Sequence, residues 1–364
     1  MILTSLNRKR RAVIGITGGA GYIGSSLARH LARFFEVEIL DIKAPSDRFE
    51  AHVKFQKCDA RDCAEVKKAI EDVDVIIHTS IVQIPAINEK KKLGYEVNLL
   101  GTQNVCKAVD ENKRTKGLIL AGSWHTVGER GLEGFIDEEF GFRPDKVEER
   151  ARLYALSKIA QESIVRFYDE MSEKVFGIIR MGTVLGDGMP KTTAANIFIE
   201  NGLAGKPLTP YRHSMHRPML YVDINDACRA YGNLARKILN GKIHKKNNSL
   251  ANIYNVFYPK PITILELAES IKKAITEFSA GKLCPDIQIV DTGQPNLFRE
   301  DDKELIVVDI RKALNILDLR YLRPPSESIA RIIKLRMRRT THSIESKRHC
   351  NNRPSGRRLV AKSP

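Results

Sequence analysis

The stretch Thr17-Gly-Gly-Ala-Gly-Tyr-Ile-Gly24 is the strongest indication of how this chain folds. It follows an apolar run, Ala12–Thr17, that is typical of a buried strand, and Ile23, Leu27 and Leu31 then recur at helical spacing. Glycines let the backbone approach a ligand closely, and a helix N-terminus offers free N–H groups and a partial positive charge. The stretch therefore predicts a strand–turn–helix unit that binds the pyrophosphate of a dinucleotide. The residues predicted to contact it are Gly18, Gly21, Tyr22, Ile23 and Gly24.

Further short apolar runs, rich in Val and Ile, alternate with amphipathic segments over the first half of the chain. These runs are Val37–Leu40, Val53–Gln56, Val73–His78, Leu118–Ala121 and Val175–Met181. Nearly continuous apolar runs are typical of parallel strands buried on both faces. The βαβ rhythm predicts an α/β fold with a Rossmann-type doubly wound parallel sheet and ligands at the carboxyl ends of its strands.

The second half of the chain is less regular, and we interpret it as a smaller C-terminal lobe that binds the substrate. It contains a strand-like run, Met219–Val222, and a helix start indicated by the capping-box pair Thr263 and Glu266. The predicted organisation is a basic extension (1–11), a dinucleotide-binding core (12–182), a substrate lobe interleaved with that core (183–330) and a basic tail (331–364). Because the tail is polar and aperiodic, we expect it to be disordered.

The net charge of +16 is concentrated at the two ends of the chain. Residues 331–364 contain eleven Lys or Arg against one acid, Glu345, and residues 8–11 are four basic residues in a row. Basic tails bind phosphates without sequence preference, but this one lacks interleaved aromatic residues for base stacking. We therefore expect a solvated end and no nucleic-acid partner.

The remaining composition is that of an intracellular globular protein. No run approaches the ~20 apolar residues of a membrane-spanning helix, and the Gly-rich loop begins too early for a removable secretory signal. The six cysteines are scattered, with neither a CxxC pair nor zinc-ligand spacing. We expect a cytoplasmic protein with reduced cysteines, no membrane association and no metal.

A second motif, Tyr154-Ala-Leu-Ser-Lys158, lies where the helix after the fifth strand is expected. Tyrosine has a pKa of about 10, but a lysine one helical turn later and a positive nicotinamide ring lower that value. The phenolate can then remove a hydroxyl proton. Ser123, at the carboxyl end of the fifth strand, is predicted to hydrogen-bond the reacting oxygen. With Ser123, Tyr154 and Lys158 as catalytic residues, the chain is predicted to be a nicotinamide-dependent enzyme acting on a hydroxyl or carbonyl group.

Acidic residues after the second and third strands indicate which dinucleotide is bound. Asp41 can accept both ribose hydroxyls of NAD and repels the 2′-phosphate of NADP. Lys43 and Arg48 are near enough to offset part of that repulsion, so NAD is favoured without excluding NADP. Asp59 has two interpretations, a contact with the adenine amino group or a cap of the loop that leads to Asp62.

Together these motifs resemble the extended short-chain dehydrogenase/reductases, especially the NAD-dependent nucleotide-sugar epimerases and dehydratases of the UDP-glucose 4-epimerase type. The resemblance covers about residues 12–325. Its markers are TGGAGYIGS at 17–25, Asp41, Asn98–Asn104 (similar to NxxGTxN), Gly122–Gly128 (similar to SSxxVYG), YALSK at 154–158, Arg180–Gly186 (similar to RxxNVYG), Arg217–Asp223 (similar to RDFIHVDD) and Asp309–Ala313 (similar to DxxKA).

The resemblance implies an epimerase that oxidises a sugar hydroxyl transiently, retains NAD between turnovers and returns the hydride to the other face. It also implies a homodimer formed through helices 95–111 and 154–171. The residues placed beside NAD, in addition to the Gly-rich loop and Asp41, are Asp59, Ala60, Asn98, Tyr154 and Lys158. Those placed beside the substrate are Ser123, His125, Thr183 and Arg217. Arg217 would bind the diphosphate, and its alternative interpretation is a surface arginine.

Departures from the family pattern leave other functions open. Trp124 and His125 stand where dehydratases carry an Asp-Glu pair, which argues against 4,6-dehydration, and Thr183 replaces a usual Asn. His125 either acts on the substrate or only packs. The SWHTVG and RMGTVLG segments also resemble uronate dehydrogenases, which favours an alternative of net oxidation of a sugar acid. A non-catalytic NAD-binding regulator with a nucleic-acid-binding tail is a third hypothesis, and the presence of all three catalytic residues argues against it.

Overall fold

The structure is a computed structural model that describes residues 10–46, 48–49, 51–243, 248 and 250–351, with side chains described as far as residue 339. Within these ranges the strands are β1 (Val13–Thr17), β2 (Glu36–Asp41), β3 (Val53–Lys57), β4 (Val75–His78), β5 (Gly117–Ser123), β6 (Gly134–Ile136), β7 (Val175–Met181), β8 (Thr183–Leu185), β9 (Pro218–Met219), β10 (Tyr221–Asp223), β11 (Ile253–Val256), β12 (Ile262–Thr263) and β13 (Ile306–Val308). The α-helices are α1 (Tyr22–Leu31), α2 (Cys63–Ala69), α3 (Ala86–Glu89), α4 (Lys91–Tyr95), α5 (Gly101–Glu111), α6 (Arg152–Met171), α7 (Ala194–Leu203), α8 (Ile224–Leu239), α9 (Ile264–Phe278), α10 (Arg311–Ile316) and α11 (Pro325–Asn351).

Seven strands form one parallel sheet in the order β11-β7-β5-β4-β1-β2-β3. The chain runs outward from β1 to β3, returns to β4 on the other side of β1, and continues outward from there. This change of direction creates a crevice between the carboxyl ends of β1 and β4, which is where doubly wound sheets bind their ligands. The predicted α/β Rossmann fold is confirmed.

Helices cover both faces of this sheet. Helices α2, α5 and α6 bury one face, and α1 and α8 bury the other, so every residue of β4 and β5 is buried. The expectation of two-sided burial is wrong for β3, whose Phe55 is 41% exposed. The reason is its position at the sheet edge, where it has one neighbouring strand and little helical cover.

The second half of the chain is built into the core as well as beside it. Strand β11 forms the edge opposite β3, and α8 packs on α1 and against β4, β5 and β7. Helix α9 begins with the predicted capping box, because the Thr263 hydroxyl accepts from the Glu266 N–H and the Glu266 carboxylate accepts from the Thr263 N–H. Helices α7, α9 and α11 pack together and form the lobe that faces the carboxyl edge of the sheet.

The predicted disorder from residue 331 is wrong for the first part of the tail. Helix α11 continues to Asn351, and Ile332 and Ile333 are fully buried against the lobe. Arg336 donates to the Asn196 side chain at 2.6 Å, which fixes the helix at one further point. Aliphatic residues at helical spacing therefore extend the folded lobe into the basic segment, whereas residues 1–9 and 352–364 lie outside the described residues.

None of the helices that the structure describes is both long enough and apolar enough to span a lipid bilayer.

Candidate active site

The carboxyl ends of the central strands open into a cleft of about 1700 Å³ between the sheet and the lobe. Thirteen of the predicted site residues line it: Gly18, Gly21, Tyr22, Ile23, Gly24, Asp41, Asp59, Ala60, Ser123, His125, Tyr154, Thr183 and Arg217. The topology thus assembles motifs that are more than 100 residues apart in sequence at one site. The two exceptions, Asn98 and Lys158, are buried behind the cleft wall.

The Gly-rich loop brings the N-terminus of α1 to the cleft. Gly18 has a φ of +68°, and a Cβ there would lie 2.7 Å from backbone atoms of Ser80. Its N–H donates to the Leu40 carbonyl at 2.9 Å, and its own carbonyl accepts from Gly21 N–H at 3.1 Å. Gly21 is the N-cap of α1 and provides no side-chain cap. The first N–H groups of the helix are therefore available to a pyrophosphate in a cradle that side chains would fill.

Asp41 is tied to this loop and to its own turn. One carboxylate oxygen accepts from Ala20 N–H and the other from Lys43 N–H, each at 3.1 Å. The carboxylate is half-buried at the cleft edge, immediately after β2. Its negative charge is fixed in place by these two backbone hydrogen bonds, at the point where a ribose bound by this loop would lie.

Asp59 combines the two features that the sequence left open. Its carboxylate accepts from the backbone N–H of Arg61 at 3.0 Å, which is the loop cap, and it also lines the cleft. The Arg61 guanidinium hydrogen-bonds both oxygens and holds the pKa of Asp59 below its ordinary value. Asp62 caps α2 by accepting from Ala64 and Glu65 N–H. The contact of Asp59 with adenine stays a prediction.

Asn98 is not brought to the cleft, so its predicted direct contact with the cofactor is corrected. It is fully buried, and its amide oxygen accepts from Val82 N–H at 2.7 Å. Its amide nitrogen donates to the Val82 carbonyl and to Ser157 Oγ, each at 3.1 Å. Asn98 therefore positions the Val82 segment, which does line the cleft.

Tyr154 and Ser123 both line the cleft. Burial raises the pKa of Tyr154, and the neighbouring Ser123 hydroxyl lowers it by less, so that the net direction is upward. The hydrogen bond of Lys158 goes to the backbone: its Nζ donates to the Ala121 carbonyl at 2.6 Å and lies over the Tyr154 ring, 6.0 Å from the centroid. Ala121 lies one residue past the last β4–β5 pair, so its carbonyl is open to a side chain. Burial lowers the pKa of Lys158 to about 7.

Two departures from the family pattern, Trp124 and Thr183, form one contact. Trp124 is almost fully buried beneath the cleft, and its indole N–H donates to Thr183 Oγ1 at 3.2 Å. Buried indole nitrogens need such a partner. The hydroxyl of Thr183 is therefore engaged with Trp124, although the residue also lines the cleft.

Arg217 is not a surface arginine, since its side chain is 9% exposed. Its guanidinium is paired with the Glu148 carboxylate and lies 3.9 Å from Glu129 Oε1. Glu129 also lies 3.4 Å from His125 Nε2. Burial would raise the pKa of Glu129, but the His125 hydrogen bond and the Arg217 charge outweigh it and lower the value to about 2. Sequence reasoning missed both glutamates because they lie on irregular loops, with no motif that marks them.

A Rossmann sheet with a glycine-rich loop and a Tyr–Ser pair at one cleft defines an extended short-chain dehydrogenase/reductase. The model of the NAD dependent epimerase/dehydratase family matches residues 14–256, and the chain belongs to that family. The cofactor of the family is NAD, as predicted from Asp41.

Individual relatives differ in their named activities. A putative UDP-glucose 4-epimerase of Methanocaldococcus jannaschii is 27% identical over 277 residues, which is 72% of this chain and 82% of that protein. A uronate dehydrogenase of Pseudomonas syringae pv. tomato is 28% identical over 48% of this chain and 59% of its own. The solved UDP-glucose 4-epimerase of Thermus thermophilus, a complex with NAD, is 25% identical with a TM-score of 0.68, covering 88% of this chain and 98% of that one.

Proposed function

We propose that this chain is an NAD-dependent nucleotide-sugar epimerase. The observation that carries the proposal is the meeting of Tyr154, Ser123 and the Gly-rich loop at one cleft. NAD, when bound, supplies a hydride acceptor that can also return the hydride. Gly18, Gly21 and Gly24 would hold its pyrophosphate, and Asp41 its ribose.

The chemistry of the chain's own residues is acid–base. Tyr154, once ionised, removes the proton from a sugar hydroxyl. After the configuration at that ring carbon has been inverted, Tyr154 returns the proton to the oxygen. Ser123 lies between the phenol and His125, and its hydroxyl keeps the phenol oriented toward the sugar oxygen. Trp124 and Thr183 fix the turn that follows Ser123, which keeps the serine at one position relative to the phenol.

The size of the cleft supports a nucleotide-linked substrate. Binding sites for single small molecules are about 300–1,000 Å³, whereas this cleft of about 1700 Å³ has room for a dinucleotide and a second large ligand. The relatives named as UDP-glucose 4-epimerases agree with this substrate class.

A free sugar acid is the second candidate, and one observation favours it. Arg217, the cation expected to bind a diphosphate, is already paired with Glu148 and lies beside Glu129. A diphosphate would have to displace a buried carboxylate from it, whereas a sugar without phosphates would not. The SWHTVG segment and the uronate dehydrogenase relative point in the same direction.

The test is product analysis with purified protein, NAD, a panel of UDP- and dTDP-sugars, and free uronic acids. An isomeric sugar formed without accumulation of NADH supports the epimerase. Stoichiometric NADH with an oxidised sugar supports the dehydrogenase.

Tyr154→Phe should abolish either activity and leave NAD affinity unchanged, because only the proton acceptor is removed. The control is Tyr168→Phe on the same helix, whose hydroxyl bonds Gln103 away from the cleft. Wild-type turnover by Tyr154→Phe would refute the mechanism.

We also propose a homodimer through the surface formed by α4, α5 and α6. Five large apolar side chains of these helices and of the π-helical segment that joins α4 to α5 are exposed: Tyr95, Leu100, Leu156, Phe167 and Met171. Phe167 is 68% exposed, which is unusual for a phenylalanine in a monomer's helix. Phe167→Glu should convert a dimer to a monomer in sedimentation, and an unchanged mass would place the interface elsewhere.

A further inference from the structure

A row of polar groups that line the cleft leads from Tyr154 to Glu129. The phenol and the Ser123 hydroxyl meet at the cleft, and Ser123 Oγ lies 3.2 Å from His125 Nδ1. The other ring nitrogen of His125 lies 3.4 Å from Glu129 Oε1. The His125 and Tyr154 rings also meet edge to face, with centroids 5.6 Å apart. The four side chains therefore form one continuous path.

The hydrogen-bonding capacity of Ser123 gives this path a direction. A hydroxyl donates one proton and accepts two. Ser123 Oγ accepts from the backbone N–H of His125 at 3.3 Å and can accept from the Tyr154 phenol. Its own proton is then directed to His125 Nδ1, which places the imidazole proton on Nε2, facing Glu129. In this arrangement each group can pass a proton toward the histidine.

Glu129 is built to hold a charge at the end of the path. It is 1% exposed, and its second oxygen accepts from Glu148 N–H at 3.0 Å. Arg217 lies on its far side, itself paired with Glu148. A fixed carboxylate at this distance is an acceptor for the Nε2 proton of His125. The side chain of His125 is 19% exposed, so that it can also exchange protons with water in the cleft.

The lysine expected to assist the phenol is directed elsewhere, since Lys158 donates to the Ala121 carbonyl. The charged and titratable groups around His125 are thus Glu129 with Arg217 and Glu148 behind it, and Tyr154 with Lys158 from α6. We propose that His125, held by Glu129, exchanges the catalytic proton with Tyr154 through Ser123. This rests on the proposed function only in assigning Tyr154 as the group that exchanges a proton with the substrate.

The proposed proton transfer needs no proton donor or acceptor beyond Tyr154, Ser123 and His125. The Tyr154 O–H bond breaks as its proton moves to Ser123 Oγ, and the original Ser123 proton moves to His125 Nδ1. The products are a phenolate and an imidazolium beside the Glu129 carboxylate, with no change in net charge. The phenolate then takes the substrate proton, and the reverse transfer follows when the proton is returned. His125 is a relay residue here, because it acts through Ser123 and Tyr154.

The first experiment titrates Tyr154 and needs no substrate. Near-ultraviolet absorbance of the phenolate would be followed in the full chain saturated with NAD, with the Tyr154→Phe spectrum subtracted at each pH. His125→Asn retains an acceptor for the Ser123 hydroxyl but cannot take a proton. We expect it to shift Tyr154 ionisation upward by about one pH unit or more, a tenfold change, with Glu129→Gln intermediate. The control is His52→Asn, which removes an exposed His–Glu pair (with Glu36) on the sheet edge.

The second experiment is the pH profile of turnover. His125→Asn should lower kcat about 100-fold near neutrality, with little change in KM and recovery at alkaline pH, where Tyr154 ionises unaided. An unshifted Tyr154 titration would overturn the relay, and so would a loss of kcat that does not change with pH. If wild-type protein turns over no sugar while the titration shift is present, the proposed function fails and the relay stands. Glu129→Gln provides the same test if His125→Asn does not fold.

Discussion

The closest backbone approach in the Gly-rich loop gives a quantitative prediction for Gly24→Ala. A Cβ at Gly24 would lie 2.5 Å from the Gly18 carbonyl oxygen and 2.5 Å from Gly19 Cα. Both neighbours are backbone atoms, so no side chain can rotate away. Alanine gains up to about 1 kcal/mol over glycine inside a helix, but overpacking of this kind costs about 3 kcal/mol. The net expectation is a loss of about 2 kcal/mol of the free energy of unfolding.

The chain contains a matched control in Gly232→Ala. Gly232 lies in α8, which packs against α1, and its Cβ would meet Leu31 Cδ2 at 3.1 Å. That contact is the end of a flexible side chain, so the same substitution should leave stability within about 1 kcal/mol of wild type. The two variants share the helix-propensity term and differ in what the methyl group meets.

Urea unfolding and NAD titration measure the two consequences. Gly24→Ala should lower the urea concentration at the unfolding midpoint. It should also weaken the affinity for NAD at least about tenfold, equivalent to 1.4 kcal/mol, because the clash displaces the N-terminus of α1. Gly232→Ala should change neither by a comparable amount. If Gly24→Ala unfolds and binds NAD as wild type does, the loop relaxes freely, and the close approach does not determine the site.

Three further predictions concern electrostatics. Glu162→Gln should cost about 3 kcal/mol in urea unfolding, because it removes the carboxylate that pairs with the buried Arg180 at 2.6 Å. Asp41→Asn should reduce the preference for NAD over NADP in binding titrations, since the fixed negative charge that repels a 2′-phosphate is removed; unchanged selectivity would place the ribose contact elsewhere. The folded-state pKa of Glu129 lies near 2 against an ordinary 4.5, so its stabilisation is complete above about pH 4.5 and is lost as pH falls toward 2. The midpoint temperature of thermal unfolding should therefore fall less steeply between these pH values in Glu129→Gln than in wild type.

The local motifs of the chain could be interpreted from sequence because each is complete within one strand–turn–helix unit. Gly18 and Gly24 are six residues apart, and this spacing is typical of the turn that joins a strand to a helix. Capping pairs such as Thr263 and Glu266 are equally local, and the structure confirms that pair. The parallel order of the strands follows from the same βαβ rhythm.

The surroundings of Tyr154 depend on tertiary contacts. Arg217 meets Glu148 across 69 residues of sequence, and Trp124 meets Thr183 across 59. Such pairs join loops whose paths depend on packing, and no periodicity or spacing marks them in the sequence. The same holds for Lys158, whose position four residues after Tyr154 predicts a shared helical face but not the Ala121 carbonyl that it bonds.

The fold and the cofactor loop could be inferred from the order of the residues, since short-range geometry requires particular residues at particular spacings. The three-dimensional arrangement determines which charged groups surround Tyr154 and Ser123. It buried Asn98 behind the cleft, extended α11 into the basic tail, and placed His125 and Glu129 in line with the phenol. Burial and charge pairing depend on which distant segments meet, and that is set by the packing of the whole chain.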